Sequence, residues 1–149
     1  MIKKILVATD NSNTGKHAVS YAIDFANDLK AELTAITVID LPPISERQSI
    51  AGESSPTHLI EPLGDYMEQV ATVFMDEIEA ACNQRGIVFH RCIRTGHPVS
   101  TIVEAAKEIN ADIIILGSHG RGALSSALLG SVTLGVIHRD IHIPVLIIK

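Results

Sequence analysis

Aromatic residues are scarce in this chain of 149 residues: they make up 3% of it, and tryptophan is absent. The hydrophobic core must therefore be built from Ile, Val, Leu and Ala, which favours α/β layers over a β-sandwich. A base-stacking platform for nucleic acid needs aromatic side chains and a Lys/Arg stripe. The net charge is −5 and the sequence contains no such stripe, so nucleic acid is not expected as a partner.

Cysteine is rarer still, with two residues in the chain. Cys82 and Cys92 form no Cys-x-x-Cys pair, and we interpret them as small buried hydrophobic residues in a reducing compartment. The seven histidines are scattered, so no dedicated metal site is predicted.

The first apolar run ends at Asp10, too early for a signal peptide, and no run approaches membrane-spanning length. We expect a cytoplasmic protein without a membrane partner.

Apolar segments alternate with segments of helical periodicity, which predicts one α/β domain with a parallel sheet covered on both faces. The predicted strands are Ile2–Thr9, Glu32–Ile39, Ile87–Arg94, Asp112–Leu116 and Pro144–Ile148. The predicted helices are Thr14–Lys30, Asp65–Gln84, Pro98–Ile109 and Ser131–His138. The stretch Asp40–Gly64 is rich in Pro, Ser and Thr, and is predicted to be a long, flexible surface loop.

A glycine motif follows the fourth strand. Gly117 and Gly120 stand three residues apart, and Gly130-Ser131 opens the last helix. Glycine lets backbone N–H groups approach an anion without a Cβ in the way, and a helix start adds free N–H groups. The pattern predicts a phosphate cradle. The alternative, that the glycines serve turns and a helix cap, stays open at this point.

The expected position of the cradle is the crevice of the sheet. In open parallel sheets, ligands bind beyond the carboxyl ends of the strands, where the strand order reverses. Asp10 and Gly117 both follow predicted strands. If the first and fourth strands are neighbours, these two residues flank that point.

With these motifs in hand, the chain resembles a universal stress protein of the ATP-binding branch, over essentially all 149 residues. The family's pattern of glycine-x2-glycine-x9-glycine-hydroxyl is complete here. The stretches that carry the resemblance are Lys4–Asp10, Val38–Asp40, Gly96–Pro98, Asp112–Arg121, Gly130–Thr133 and Pro144–Lys149.

The resemblance implies a doubly wound five-stranded sheet of order 3-2-1-4-5, a homodimer, and ATP, ADP or AMP in the crevice, with Mg²⁺ possible. Asp10 would contact the ribose or the adenine side, and the backbone of Val38 would face the adenine. The nucleotide-binding residues implied are Ala8, Thr9, Asp10, Val38, Leu116, Gly117, His119, Gly120, Arg121, Gly130, Ser131, Val132 and Thr133. Residues 117–121 would wrap the ribose and phosphates, and residues 130–133 would hold phosphate oxygens.

Several of these roles have plain structural alternatives. Arg121 is as compatible with a solvated loop charge as with a phosphate contact, and for His119 we favour a loop-shaping role. Asp10 suits the start of a helix, which is compatible with ligand binding. The hydroxyls of Ser131 and Thr133 are the expected side-chain donors to phosphate.

No catalytic residue is predicted. The Gly-x4-Gly-Lys-Ser/Thr loop of ordinary ATPases is absent, and no carboxylate pair accompanies the glycine motif. We expect a dimeric, nucleotide-binding sensor or regulator with slow or no hydrolysis and an unknown protein partner. The alternative is a dimeric interaction module whose glycine loop is structural. The dimer is predicted at Val145–Ile148, an apolar strand expected at an edge of the sheet.

Overall fold

The structure is a computed structural model that describes residues 1–41, 60–119 and 129–149. Strands and helices alternate along these residues. The strands are β1 (Lys4–Ala8), β2 (Glu32–Ile39), β3 (Phe89–Thr95), β4 (Ile113–Gly117) and β5 (Val145–Ile148). The helices are α1 (Asn13–Leu29), α2 (Ile60–Gln84), α3 (Pro98–Glu108) and α4 (Ser131–Ile137).

The five strands form one parallel sheet in the order β3-β2-β1-β4-β5. This confirms the predicted fold class and strand order. Val7 at the centre of β1 pairs with Ala35 on one side and Ile115 on the other. From β1 the chain winds outward to β3, then returns to β4 and winds the other way. The order therefore reverses between β1 and β4, which are neighbours.

Alternation along the strands builds two separate core layers. Ile5 and Val7 of β1 pack in the layer that contains the buried faces of α1 and α2. Leu6 and Ala8 point into the other layer, with α3 and α4. Both faces of the sheet are thus covered, as the near-continuous apolar strands predicted.

The two cysteines lie in different environments. Cys82 is buried in α2, and its burial raises the pKa of the thiol above the usual value. Cys92 on β3 is only half-buried, so the expected burial holds for one cysteine and is wrong for the other. Both are free thiols.

Helix α1 begins where the sequence suggested. Ser12 is its N-cap, and the Ser12 Oγ accepts a hydrogen bond from the backbone N–H of Gly15 at 3.1 Å. Its apolar face, including Ala18, Ala22 and Ala26, is fully buried. The helix ends at Leu29, and the residue that caps it, Lys30, adopts the left-handed conformation with φ of 53°.

The start of α2 corrects one prediction. The loop was expected to extend to Gly64, but the helix already begins at Ile60. Pro62 is compatible with this because a first-turn residue needs no intrahelical N–H partner. Residues 42–59 of the predicted loop lie outside the described residues.

The start of β3 is also later than predicted, at Phe89 rather than Ile87. Gly86 has a φ of +68° and terminates α2, and the N–H of Ile87 then bonds the carbonyl of Cys82 at 3.0 Å. Ile87 is buried as part of this helix end and not as a strand residue. The remaining element ends differ from the predictions by two residues or fewer. In the described parts of the chain, no helix is long and apolar enough to cross a membrane.

Candidate functional site

A cavity of about 950 Å³ opens at the carboxyl ends of β1, β2 and β4. It lies at the point where the strand order reverses, as expected for a ligand site in this topology. Eleven of the thirteen predicted binding residues line it: Ala8, Thr9, Asp10, Val38, Leu116, Gly117, His119, Gly130, Ser131, Val132 and Thr133. The other two, Gly120 and Arg121, lie outside the described residues.

The turn from β1 into α1 forms one wall. The backbone N–H of Ser12 donates to Oδ1 of Asp10 at 3.0 Å, and that of Asn11 donates to Oγ1 of Thr9 at 3.2 Å. Asn11 has a φ of 62°, a conformation that asparagine tolerates better than most residues. Asp10 thus shapes the entry into α1, which is the structural role foreseen for it, and also lines the cavity. Its contact with a ligand stays a prediction.

Gly117 is required by packing. A Cβ on this residue would lie 2.9 Å from the carbonyl oxygen of Thr14 and 3.2 Å from the backbone nitrogen of Gly15. Real Cβ atoms do not approach backbone so closely. The absence of a side chain therefore lets the start of α1 approach the end of β4. This glycine is needed whether or not a phosphate binds.

Thr133 has a different role from the one expected of its hydroxyl. The side chain is buried, and its Oγ1 donates to the carbonyl oxygen of Gly117 at 2.8 Å. A threonine hydroxyl has a single proton to donate, so Thr133 fastens α4 to the end of β4 and its hydroxyl is not a free phosphate donor. Ser131, two residues earlier, is exposed on the cavity wall.

The segment 117–119 is held from three sides. The N–H of Ser118 donates to the carbonyl of Ile148 at 2.7 Å, and the carbonyl of Ser118 accepts from the N–H of Gly130 at 2.8 Å. The carbonyl of His119 accepts from the hydroxyl of Thr14. The imidazole Nδ1 of His119 lies 2.8 Å from Ser118 Oγ. These contacts agree with the loop-shaping role favoured for His119.

Two polar atoms of the residues lining this cavity are buried without a hydrogen-bond partner among the described residues. They are Oδ1 of Asn11 and Nε2 of His119. A buried polar atom left unpaired costs roughly 1–3 kcal/mol. Asn11 and His119 therefore each hold a polar atom with unfilled hydrogen-bonding capacity in this part of the molecule.

Acidic side chains are the fixed charges on the described wall, which contains Asp10 and Asp40 but no lysine or arginine.

Within the described ranges, no three His, Cys, Asp or Glu residues gather into a metal site. His138 and His142 stand four residues apart in the sequence. However, α4 ends at Ile137, so the two do not share a helix face.

The part of the cavity beyond β2 is mostly apolar, with Thr37 and Asp40 as its polar residues, and the sequence analysis did not predict its apolar residues. This part is formed by the end of β2 and by one face each of α2 and α3. The added apolar residues are Ile36, Ile39, Met67, Val70, Ala71, Phe74, Pro98 and Ile102. Met67, Val70 and Phe74 stand at helical spacing, a signal that is indistinguishable in sequence from an ordinary core face.

The whole chain, residues 1–149, matches the model of the universal stress protein family. The chain belongs to the universal stress protein family. It is 31% identical over 149 residues to universal stress protein MJ0531 of Methanocaldococcus jannaschii, covering all of this chain and 83% of that protein. It is 33% identical to MJ0577 of the same organism, over 100% of this chain and 96% of the other.

Solved structures agree with the family assignment. The structure of MJ0577 superposes with a TM-score of 0.82 over the whole chain and 96% of that protein. A universal stress protein in complex with cAMP, 24% identical, superposes at 0.66, covering 99% of this chain and 97% of the other. One from Archaeoglobus fulgidus in complex with dAMP, 20% identical, superposes at 0.67 over the full length of both. At such identities, the last two establish the shared fold.

Proposed function

We propose that this universal stress protein binds an adenine nucleotide, with ATP first and ADP or AMP as alternatives, in the cavity beyond β1, β2 and β4. The observation that carries the proposal is the composition of the cavity. One end is lined by Asp10, Asn11 and Ser131, and the other by aliphatic side chains such as Ile39 and Ile102. A nucleotide has a similar division between a polar ribose-phosphate and a flat aromatic base whose faces pack against apolar side chains.

The orientation of the nucleotide follows from this division. The base would lie against the end of β2, beside the backbone of Val38, and the phosphates would meet the first turn of α4. Gly130 and Ser131 line the cavity there, and the exposed Ser131 hydroxyl is available as a donor. The fold is shared with proteins that hold cAMP and dAMP, which supports an adenine nucleotide as the ligand class.

Mg²⁺ belongs to the proposal as a companion of the phosphates. The described wall carries Asp10 and Asp40 with no Lys or Arg opposite them. Asp40 follows β2, at the end proposed for the base, whereas Asp10 lies at the polar end, where a triphosphate would be repelled by its carboxylate unless a cation screened it. Magnesium prefers oxygen ligands and commonly bridges phosphates to one or two carboxylates. We therefore expect ATP to bind more tightly with Mg²⁺ than without it.

The proposed role is that of a dimeric regulator, in which the bound nucleotide sets the conformation or the partner, rather than that of a dedicated enzyme. The candidate bases on the described wall, Asp10 and His119, are both hydrogen-bonded within their own loops, Asp10 to the N–H of Ser12 and His119 to Ser118. Hydrolysis at ordinary enzyme rates, about 1–1,000 per second, that disappears in Ser131→Ala would contradict this. Location in the cytoplasm remains part of the proposal.

The first experiment asks what the protein already carries. Freshly purified protein is denatured and the released small molecules are identified by mass spectrometry. We expect an adenine nucleotide in an amount close to that of the protein. Release of a different class of molecule would contradict the proposal.

The proposed dimer uses β5. This strand is an edge of the sheet, and each residue of Val145–Ile148 is only half-buried. An apolar edge with free backbone groups is prone to association, and pairing two copies around a two-fold axis covers it. Light scattering at micromolar concentration should give twice the mass of 16.0 kDa. A monomer mass would overturn this part of the proposal.

A second function, a dimeric interaction module without nucleotide, is favoured by one observation. Gly117 is needed for the approach of α1 to β4, so part of the glycine motif has a structural purpose. The two functions are separated by Gly130→Val. If nucleotide binding is lost while binding to a cellular partner is unchanged, the module function is supported.

A further inference from the structure

The first half of α2 carries an exposed apolar stripe. Leu63, Tyr66, Val70 and Val73 are 50%, 63%, 37% and 60% exposed. At 100° per residue these four positions fall within an arc of roughly 80°. We call them the α2 stripe. Scattered exposed hydrophobic residues are normal, whereas a contiguous row on one helix indicates an interaction surface.

The α2 stripe is distinct from the face by which α2 packs on the sheet. That face consists of Ala71, Phe74, Met75, Ile78 and Cys82, all buried in one core layer. The core layer is complete without the stripe, since Leu63 and Val73 remain largely exposed. Its apolar character is therefore not explained by folding of the described chain.

The charge on α2 has one sign. Between Ile60 and Gln84 the helix contains six acidic residues and no Lys, Arg or His, whereas the whole chain has a net charge of −5. Asp76 and Glu79 form ion pairs with Arg91 of β3. Glu77 lies in line with the stripe, one turn beyond Val73, and Asp65 lies on its solvent side, roughly 80° from its edge. Exposed acidic side chains therefore border one end and one side of the stripe.

We propose that the α2 stripe is the docking surface for a cationic amphipathic helix of a partner protein. Such a helix would place its apolar row on the stripe and its Lys and Arg residues beside the acidic borders. The sign of the charge selects this occupant. Nucleic acid and anionic lipid would be repelled by α2, and a second copy of the chain would bring acidic borders against acidic borders.

The docking surface reaches the mouth of the cavity, because Tyr66 and Val70 belong to the stripe and also line the cavity wall. A helix seated on the stripe would therefore cover part of that mouth. The proposal does not depend on what the cavity binds, and its test uses no nucleotide.

The test uses a model peptide of 18 residues with leucines on one helix face and lysines on the other. Its binding is measured by fluorescence anisotropy at physiological salt. We expect saturable binding with a Kd of about 1–100 μM, a range typical of weak specific contacts. A scrambled peptide of the same composition should bind at least tenfold more weakly, and a Leu/Glu peptide should not bind. Equal binding of the scrambled peptide would overturn the proposal.

The chain offers a matched pair of variants. Val73→Asp interrupts the stripe, and Val88→Asp places the same charge at a similarly exposed valine, 56% against 60%, away from it. Added negative charge strengthens purely electrostatic attraction, so only apolar docking predicts weaker binding in Val73→Asp. We expect a loss of tenfold or more for Val73→Asp, and a change within twofold for Val88→Asp.

A second variant protects the test against misfolding. Leu63→Ser should weaken binding of the peptide at least threefold. Circular dichroism of the variant protein should show an unchanged helix content. If both stripe variants bind as the wild type does, the proposal is wrong. It is also wrong if Val73→Asp dissociates a dimer while the peptide binds unchanged, because the stripe would then belong to a second copy.

Discussion

The two ends of the cavity are built by different forces. At the polar end, Gly117, Ser118 and Thr133 are joined to their neighbours by directional hydrogen bonds of 2.7–2.8 Å. At the apolar end, Phe74 and Ile102 are placed by packing against the two core layers. Hydrogen-bonded geometry is lost when one partner is removed, whereas packed surfaces adjust in small steps. We therefore expect abrupt effects from changes at the polar end and graded effects from changes at the apolar end.

The largest effect is expected at Gly117. In Gly117→Ala, the new Cβ would meet the backbone of Thr14 at 2.9 Å, and backbone cannot turn aside as a side chain can. We expect the free energy of unfolding to fall by about 1–3 kcal/mol, as in other overpacked sites. The measurement is urea denaturation followed by circular dichroism.

The control for this prediction is Gly64→Ala. A Cβ on Gly64 would meet its nearest neighbour, Leu41, at an ordinary 3.7 Å. Because Gly64 lies in α2, alanine should leave stability unchanged or raise it by up to about 1 kcal/mol. Equal destabilisation by both substitutions would show that Gly117 is not a point of close approach.

The second prediction separates the two hydroxyls of α4. In Thr133→Val the buried carbonyl of Gly117 loses its 2.8 Å partner, and we expect a loss of about 1–2 kcal/mol in the free energy of unfolding. Ser131→Ala removes an exposed hydroxyl and should change stability by less than about 0.5 kcal/mol. If the two variants are equally stable, the hydrogen bond from Thr133 to Gly117 does not stabilise the fold.

The third prediction sharpens the contrast between the ends with two ligands, ATP and adenosine. Ser131→Ala should lower the affinity for ATP by roughly two- to tenfold, which corresponds to the loss of one hydrogen bond. The affinity for adenosine should be unchanged. Met67→Ala shortens a half-buried apolar side chain of the cavity wall. It should lower the affinity for both ligands by the same small factor. Calorimetric titration measures all four combinations. A Ser131→Ala variant that weakens adenosine as much as ATP would place the phosphates elsewhere.

The smallest effect is expected at the opposite end of the sheet, at Asp112. Its carboxylate accepts hydrogen bonds from the N–H groups of Lys3 at 2.7 Å and Lys4 at 2.9 Å, which lowers the pKa of this carboxyl. A lowered pKa stabilises the fold above the unfolded value, about 3.9, and this stabilisation disappears as the pH falls through the folded value. Asp112→Asn should therefore be slightly less stable at pH 7, with a difference that shrinks below about pH 4.

Nucleotide binding supplies the control for Asp112→Asn. Because this residue lies at the amino ends of the strands, the variant should bind ATP with unchanged affinity at pH 7. A loss of affinity would mean that the two ends of the sheet are coupled, contrary to the account of the site as a local structure.

The order of the elements could be predicted from the sequence because parallel strands buried on both faces leave continuous apolar runs, and each helix has one apolar face. The strand order, by contrast, came from the family resemblance. Periodicity alone does not say which strands are neighbours. The end of the predicted loop was wrong because Pro62 was interpreted as a loop residue, although proline is equally suited to the first turn of a helix.

In the candidate site, too, one part could be predicted from the sequence and another could not. The full set of polar residues came from the family resemblance, although Asp10 and Gly117 at strand ends and Ser131 at a helix start already indicated this edge of the sheet. The role of the Thr133 hydroxyl could not be foreseen, since it depends on the distance between α4 and the carbonyl of Gly117, sixteen residues earlier. The apolar end was missed because Phe74 has the same pattern whether it faces a core or a ligand.

The most direct test of nucleotide binding is a calorimetric titration of ATP, with and without Mg²⁺, into nucleotide-free wild-type protein and into Gly130→Val. Gly130 has φ of −63° and ψ of 155°, which valine can adopt, so the variant should fold while its side chain fills space beside α4. We predict saturable binding with a Kd of about 1–100 μM in the wild type and none in the variant. No binding heat in the wild type at millimolar ATP, or equal binding in both proteins, would contradict the account.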